Sequence, residues 1–225
     1  MSAGVFISGT DTGAGKTVVT SALARGLRKA SIDVGVMKPV ETGVPDTGPA
    51  DALALIRAAD VQDDLDLVCP LQFEMPAAPL AAARNEGREV AIEQIVGAYH
   101  ELQRRHPFML VEGAGGLLVP IDEKTTMADL AERLELPVLL VARASLGTIN
   151  HTMLTLEACA SRGLDVVGVV LSHSSGKISK ADERNVELLR ESLAEQLIGE
   201  VHPQAEPEQT APRDAGLDAV LSLAR

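Results

Sequence analysis

Residues 4–17 read Gly4-Val5-Phe6-Ile7-Ser8-Gly9-Thr10-Asp11-Thr12-Gly13-Ala14-Gly15-Lys16-Thr17: an apolar run, a glycine-rich turn, then a lysine and a hydroxyl at the head of a helical period. The run Gly4 to Ser8 has no polar alternation and predicts a buried strand. From Lys16 to Ala30, Val18, Val19, Ala22, Leu23 and Leu27 fall on one face and predict a helix. Glycines between the two let several backbone N–H groups turn inward, and the helix start adds positive potential, so the loop suits phosphate. In such a loop Lys16 reaches the outer phosphates and the Thr17 hydroxyl ligates Mg²⁺. Gly13, Ala14, Gly15 and Val18 complete the expected nucleotide contacts. Five residues separate Gly9 from Gly15, where the common spacing has four. A chance glycine-rich turn is the alternative, and the strand and helix on either side argue against it.

Outward from this loop, short apolar runs alternate with helical periods. Strands are expected at Asp33–Lys38, Phe108–Glu112, Pro137–Ala142 and Asp165–Leu171. Helices are expected at Ala50–Ala59, Ile92–Arg105, Met127–Leu134, Thr148–Arg162 (closed by Gly163) and Ser179–Gln196. His202 to Arg213, rich in Pro, Glu and Gln, reads as a loop before a short C-terminal helix. The pattern predicts an α/β fold over residues 1–225: one doubly wound, mostly parallel sheet with helices on both faces, of the P-loop NTPase type. Ligands in such sheets bind beyond the carboxyl ends of the strands, where the motifs fall.

Composition narrows the classes. Of 225 residues 46% are hydrophobic, but the aromatics are only Phe6, Phe73, Tyr99 and Phe108, so the core is expected to be aliphatic. A net charge of −12 offers no basic face for nucleic acid. The longest apolar run, near Leu136 to Ala142, falls well short of the roughly 20 residues of a membrane helix. No signal peptide is expected, and Cys69 and Cys159, outside any metal spacing, read as thiols of a reducing cytosol. The chain is therefore read as cytoplasmic. The histidines at 100, 106, 151, 173 and 202 show no metal-binding spacing and read as surface or satisfied groups.

Several polar residues sit where chemistry is possible. Glu112 ends the apolar run Phe108-Met109-Leu110-Val111, the usual place for a second Mg²⁺ ligand beside Thr17. Asp51 opens a helix, where it is either an N-cap or a metal ligand. Lys38 precedes Pro39 at a strand end, either near the phosphate loop or simply solvated. Asp11 either caps loop N–H groups or stands near the metal. Gly113 to Gly116 offers bare backbone for close approach of a ligand.

The loop does not stand alone. Lys38-Pro39-Val40-Glu41-Thr42-Gly43, Val111-Glu112-Gly113-Ala114-Gly115-Gly116 and Leu146-Gly147-Thr148-Ile149-Asn150-His151 follow it in order. With Gly-Thr-Asp-Thr-x-x-Gly-Lys-Thr, these segments resemble the dethiobiotin synthetase family from residue 4 to about 171. The resemblance implies an ATP-dependent enzyme that carboxylates 7,8-diaminononanoate with CO₂ and closes a ureido ring, with Mg²⁺ and ATP or another nucleoside triphosphate. It makes Lys38, Lys16 and Thr12 the expected catalytic groups. Thr17, Asp51 and Glu112 become metal ligands, the two carboxylates also facing the nucleotide. Thr42, Gly115 and Gly116 become diamine contacts. The helix start at Leu146, Gly147 and Asn150 would bind the substrate carboxylate across a homodimer interface, with a simple cap as the other reading of Asn150.

Resemblance thins past residue 171. Where some family members carry an Asn-Asp pair that reads adenine, this chain has Ser172-His173, and a serine cannot make the paired contact of an amide. Base preference therefore stays open, with CTP or GTP use a possibility. Val201, His202 and Pro203 carry over as the second base loop. Two rivals remain. A MinD/ParA-like nucleotide switch would carry a further lysine early in the loop, where residues 8–11 are Ser-Gly-Thr-Asp. A cobyrinate-type amidation enzyme would need a glutaminase domain, for which the chain is expected to leave no room.

Overall fold

A computed structural model describes residues 3–174, 178–204 and 207–224. The chain alternates strand and helix from β1 (Ala3–Gly9) and α1 (Lys16–Lys29) through β2 (Val34–Met37), β3 (Val40–Thr42), α2 (Ala50–Ala59), α3 (Leu65–Val68) and β4 (Leu71–Phe73). It continues with α4 (Pro79–Asn85), α5 (Ile92–Arg105), β5 (Phe108–Gly116), α6 (Met127–Arg133), β6 (Val138–Arg143) and α7 (Thr148–Ser161). It closes with β7 (Val166–Ser172), α8 (Lys180–Leu193), β8 (Leu197–Val201) and α9 (Leu217–Leu223).

Six strands form one sheet in the order β2-β5-β1-β6-β7-β8, every pairing parallel. Central strands carry uninterrupted apolar runs because both of their faces are covered: Val5, Phe6, Ile7, Leu110, Val111, Leu139 and Leu140 are all fully buried. Register places Phe6 opposite Val111 on one side and Val138 on the other. The chain passes from β1 to β2 and β5 on one flank, and then to β6, β7 and β8 on the other. The order thus reverses at β1, and the phosphate loop leaves its carboxyl end.

The expected helices at 50–59 and 92–105 form at those bounds. Other expectations need correction. The strand ending at Glu112 runs on to Gly116, because Gly116 still pairs with Gly9. Ser179 is not the first helical residue but the N-cap, in a capping box with Asp182, and the helix ends at Leu193 before a 3₁₀ turn at Ala194–Gln196. Arg162 caps α7, with Gly163 following at φ +68°. Val201, expected in the second base loop, is instead the last residue of edge strand β8, and His202 and Pro203 follow it. The short parallel pair β3–β4 and helices α3 and α4 had no sequence signal, being three to seven residues long and set among prolines.

Candidate active site

Gly15 makes the phosphate loop possible. It caps α1 at φ +92°, and a Cβ there would sit 2.4 Å from Ser172 Oγ. Lys16 follows on the first turn of α1, buried, its Nζ 3.5 Å from the Asp11 carbonyl. Burial first, and the neighbouring Lys38 ammonium second, lower its pKa to about 8. Asp11 lies on the outer side of the loop, where Oδ1 accepts the Thr12 N–H at 2.7 Å and Oδ2 meets Arg143 Nη2 at 3.0 Å. Its cap role is thereby visible, and its carboxylate is turned to an arginine that the sequence did not single out.

Beyond β2 and β5 the polar groups converge. Lys38 Nζ donates to Glu112 Oε1 at 2.6 Å and to Asp51 Oδ2 at 2.8 Å. Thr17 Oγ1 donates to the same Glu112 oxygen at 2.9 Å. Glu112 is fully buried, and its Oε2 has no hydrogen-bond partner among the described residues. Burial works against the Lys38 charge, but Glu112 and then Asp51 outweigh it, and its pKa moves up. For Asp51 burial pulls upward, and the Lys38 charge and hydrogen bond prevail, so its pKa falls. Lys38 is therefore not a solvated strand-end lysine, nor is Asp51 an N-cap: Pro49 holds that position.

Glu41, which no sequence pattern singles out, organises this corner. Its Oε1 and Oε2 accept the backbone N–H groups of Asp51 and Ala52, each at 3.0 Å. These are two of the four N–H groups a helix start leaves unpaired, so the carboxylate fixes the first turn of α2 and thereby Asp51. Burial raises the Glu41 pKa against the pull of those N–H groups. A residue in a three-residue strand has no periodic signature; only its contact with α2 reveals its part.

One cavity of about 360 Å³ gathers Thr12, Gly13, Gly15, Lys16, Thr17, Val18, Lys38, Thr42, Asp51, Glu112 and Gly115 around these groups. The ammonium groups of Lys16 and Lys38, the carboxylates of Glu41, Asp51 and Glu112 and the hydroxyls of Thr12, Thr17 and Thr42 thus face one space beside a helix start. Such a set can hold a polyphosphate and its counter-cation, with the hydroxyl of Thr17 and the carboxylates of Asp51 and Glu112 as hard oxygen donors. The partnerless Glu112 Oε2 fits a donor set made for an added cation.

A family profile described as an AAA domain matches residues 3–211. A protein of Anaeromyxobacter dehalogenans named ATP-dependent dethiobiotin synthetase is 52% identical over 76% of this chain and 77% of its own length. One of the same name from Thermodesulfovibrio yellowstonii is 40% identical over 99% of this chain and the whole of its own. A third, from Methanocaldococcus jannaschii, is 44% identical over 75% and 78%. The chain belongs to the dethiobiotin synthetase family. Among solved structures, the MinD cell division protein of Aquifex aeolicus matches with TM-score 0.54 at 15% identity, over 99% of this chain and 95% of its own. A ParA family ATPase of Chlorobium tepidum matches with TM-score 0.53 at 16% identity, over 98% of both chains. At those identities the likeness is one of fold.

Within this dethiobiotin synthetase family chain, the remaining expected site residues stand outside the cavity. Ala14 is buried in the loop, and Gly116 faces a neighbouring groove lined by Thr10, Leu118 and Leu154. Leu146 is 75% exposed and Asn150 exposed at the start of α7, whose N-cap is Gly147. Ser172 is buried against the loop at Gly15, and the His173 N–H donates to the Val201 carbonyl at 2.9 Å. His173 Nε2 lies 2.6 Å from Glu200 Oε1, His202 stacks on His173, and Pro203 follows. His173, Glu200 and His202 bring ligand atoms within 4.8 Å of one another. Two features oppose a metal there. Arg190 occupies both oxygens of Glu200, at 2.5 and 3.0 Å, and the rings lie 17° from parallel, so their in-plane lone pairs do not converge. Neither cysteine is in a disulfide, and no helix among the described residues is long and apolar enough to cross a membrane.

Proposed function

We propose that the chain works as a cytoplasmic unit over residues 1–225, using a nucleoside triphosphate to convert 7,8-diaminononanoate and CO₂ into a cyclic urea. The carrying observation is the Lys38 ammonium, held 2.6 Å from Glu112 and 2.8 Å from Asp51 in the same cavity as Lys16. One amine of the diamine adds to CO₂ and loses a proton, giving a carbamate. A carbamate oxygen takes the γ-phosphoryl group as its bond to the β-phosphate oxygen breaks and the nucleoside diphosphate leaves. The second amine then attacks the carbamoyl carbon, releasing phosphate and a proton and closing the ring. Lys16 and Lys38 hold the charge that builds on the transferring phosphoryl oxygens, and Thr12 lines the path. Thr17, Asp51 and Glu112 would hold Mg²⁺, which neutralises phosphate charge when bound.

Thr42 and the backbone at Gly115 and Gly116 receive the diamine in this reading, and Leu146, Gly147 and Asn150 receive its carboxylate from a second copy of the chain. Exposed Leu118, Leu146, Met153 and Leu154 support such a homodimer, since apolar side chains of this size gather around one helix start. The test is phosphate release with Mg-ATP and bicarbonate, with and without the diamine. Diamine-dependent release with a ureido product is the expected result. Release independent of the diamine would return the chain to the nucleotide-switch reading.

A further inference from the structure

We propose that Arg143 is a positioning residue for the phosphate loop: as the counter-ion of Asp11 it cancels the carboxylate inside the loop and fixes the Asp11–Thr12 turn, so that a polyphosphate meets lysines and backbone N–H groups without an opposing charge. The inference rests on the proposed nucleotide site at this loop and adds to it a residue from outside the motif.

An aspartate within a phosphate loop works against the loop's task, because it repels the ligand. The charge of Asp11 does reach the cavity, where it is one of the groups that favour the Lys16 ammonium. Its main-chain carbonyl faces Lys16 Nζ at 3.5 Å, while the residue also lines the neighbouring groove with Thr10, Thr12 and Gly116. On that side Oδ2 lies 3.0 Å from Arg143 Nη2, and Oδ1 accepts the Thr12 N–H at 2.7 Å. Among the described residues Arg143 is the only cation in ion-pair contact with this carboxylate.

Arg143 reaches the loop from a rigid base. It is the last residue of β6 and pairs with Ser172 of β7, and the N–H of the next residue, Ala144, donates to the Ser172 carbonyl at 2.8 Å. The Arg143 N–H donates to Thr10 Oγ1 at 3.2 Å, and the Thr10 N–H donates to the Val141 carbonyl at 2.9 Å. The exit of β6 thus holds the loop twice at Thr10 and once at Asp11. With both oxygens engaged, one by a charged donor, the Asp11 carboxylate is fixed, and Thr12, which lines the cavity, is fixed with it.

Such an ion pair does little for folding. The two side chains are 31% and 43% exposed, and pairs of that kind contribute weakly to stability. Ligand binding is a different matter, since an uncancelled Asp11 faces several phosphate charges at once.

The experiment is calorimetric titration of the full chain with Mg-ATP and with Mg-tripolyphosphate, in a cycle of wild type, Arg143→Met, Asp11→Asn and the double variant. Arg143→Met should weaken both ligands by about five- to tenfold at low ionic strength, with a smaller loss as salt rises. In the Asp11→Asn background, where an amide oxygen can still accept the Thr12 N–H, the same change should shift either affinity by less than about twofold. An arginine with a merely structural part would cost the same in both backgrounds, and that result overturns the proposal. So does Arg143→Met with wild-type affinity. Two milder variants separate charge from contact. Arg143→Lys keeps the charge and should recover most of the affinity, whereas Arg143→Gln keeps a donor without the charge and should not. The reverse ranking also overturns the proposal. No titration contains the diamine. A wild type that binds neither ligand sinks the nucleotide site and this inference with it, whereas wild-type binding with an additive cycle sinks the part of Arg143 alone.

Discussion

Glu41 holds Asp51 by its main chain: Oε1 accepts the Asp51 N–H at 3.0 Å, while Asp51 Oδ2 is turned to Lys38 Nζ at 2.8 Å. One carboxylate thus sets the helix turn that aims another. Removing it should loosen the turn without touching Lys38 or the phosphate loop. Glu41→Ala is expected to cost about 0.5–2 kcal/mol, the range for a lost helix cap, read as a lower thermal midpoint. The Mg²⁺ concentration for half-maximal turnover should rise severalfold. Glu41→Gln keeps a carbonyl acceptor and should fall between alanine and wild type. An alanine variant with an unchanged Mg²⁺ requirement would show that Glu41 does not position Asp51 for the metal.

Lys38 and Glu112 make a buried ion pair, and the two halves of such a pair are unequal to single changes. Lys38→Met leaves Glu112 fully buried with the Thr17 hydroxyl as its hydrogen-bond donor and Lys16 as the nearby cation. The expected loss is about 3–5 kcal/mol of stability, together with turnover. Adding Glu112→Gln removes the uncompensated charge, so the double variant should regain much of the stability by chemical denaturation. It should stay inactive, because both the cation and a metal ligand are gone. Recovered turnover in the double variant would remove Lys38 from the reaction.

Much of this arrangement was legible because it rests on backbone pattern. The buried parallel strands are long apolar runs, so β1, β5 and β6 and the residues leaving them could be placed by reading along the chain. Thr17, Lys38 and Glu112 stand out in the sequence for the same reason, each lying at or just beyond the end of an apolar run. Contacts between distant segments leave no such trace. Glu41 sits in a three-residue strand, Arg143 at a strand end four residues from the α7 cap, and Glu200 in a five-residue edge strand whose register against β7 shifts at Ile198. Each acquires its part only through a partner far off in sequence: Asp51 at α2, Asp11 in the loop, His173 after β7. The His173–His202 stack is of the same kind, since no motif spacing links residues 29 positions apart.

His106 offers a pH test of the fold away from the site. Its Nδ1 lies 2.7 Å from Asp33 and its Nε2 2.8 Å from Asp63. Burial lowers its pKa, but the hydrogen bonds to Asp33 and Asp63 prevail and the net direction is up. A histidine raised on folding stabilises fully below its unfolded value of about 6.5, and that contribution disappears as pH rises through the folded value. The thermal midpoint should therefore fall as pH rises above about 6.5 in the wild type. In His106→Gln this step should be absent. An identical pH profile in the variant would assign the change to other groups.

Lys16 gives the matching test inside the site. Burial and Lys38 bring its pKa to about 8 in the nucleotide-free protein. A bound polyphosphate favours the ammonium, so binding must raise that value and draw in a proton wherever Lys16 is partly neutral beforehand. Near pH 6.5 Lys16 is already charged and no uptake from it is expected. At about pH 9 most of the free protein has a neutral Lys16, and the nucleotide phosphates, with a last pKa of about 6, are fully ionised. Uptake there should approach one proton per nucleotide, and affinity should drop by about tenfold for each pH unit above 8. Calorimetry at pH 9 in two buffers of different ionisation enthalpy measures the proton directly. Lys38→Arg should keep the uptake, because the neighbouring positive charge remains, and Lys16→Met should abolish it. Uptake that survives Lys16→Met would place the titrating group elsewhere in the site.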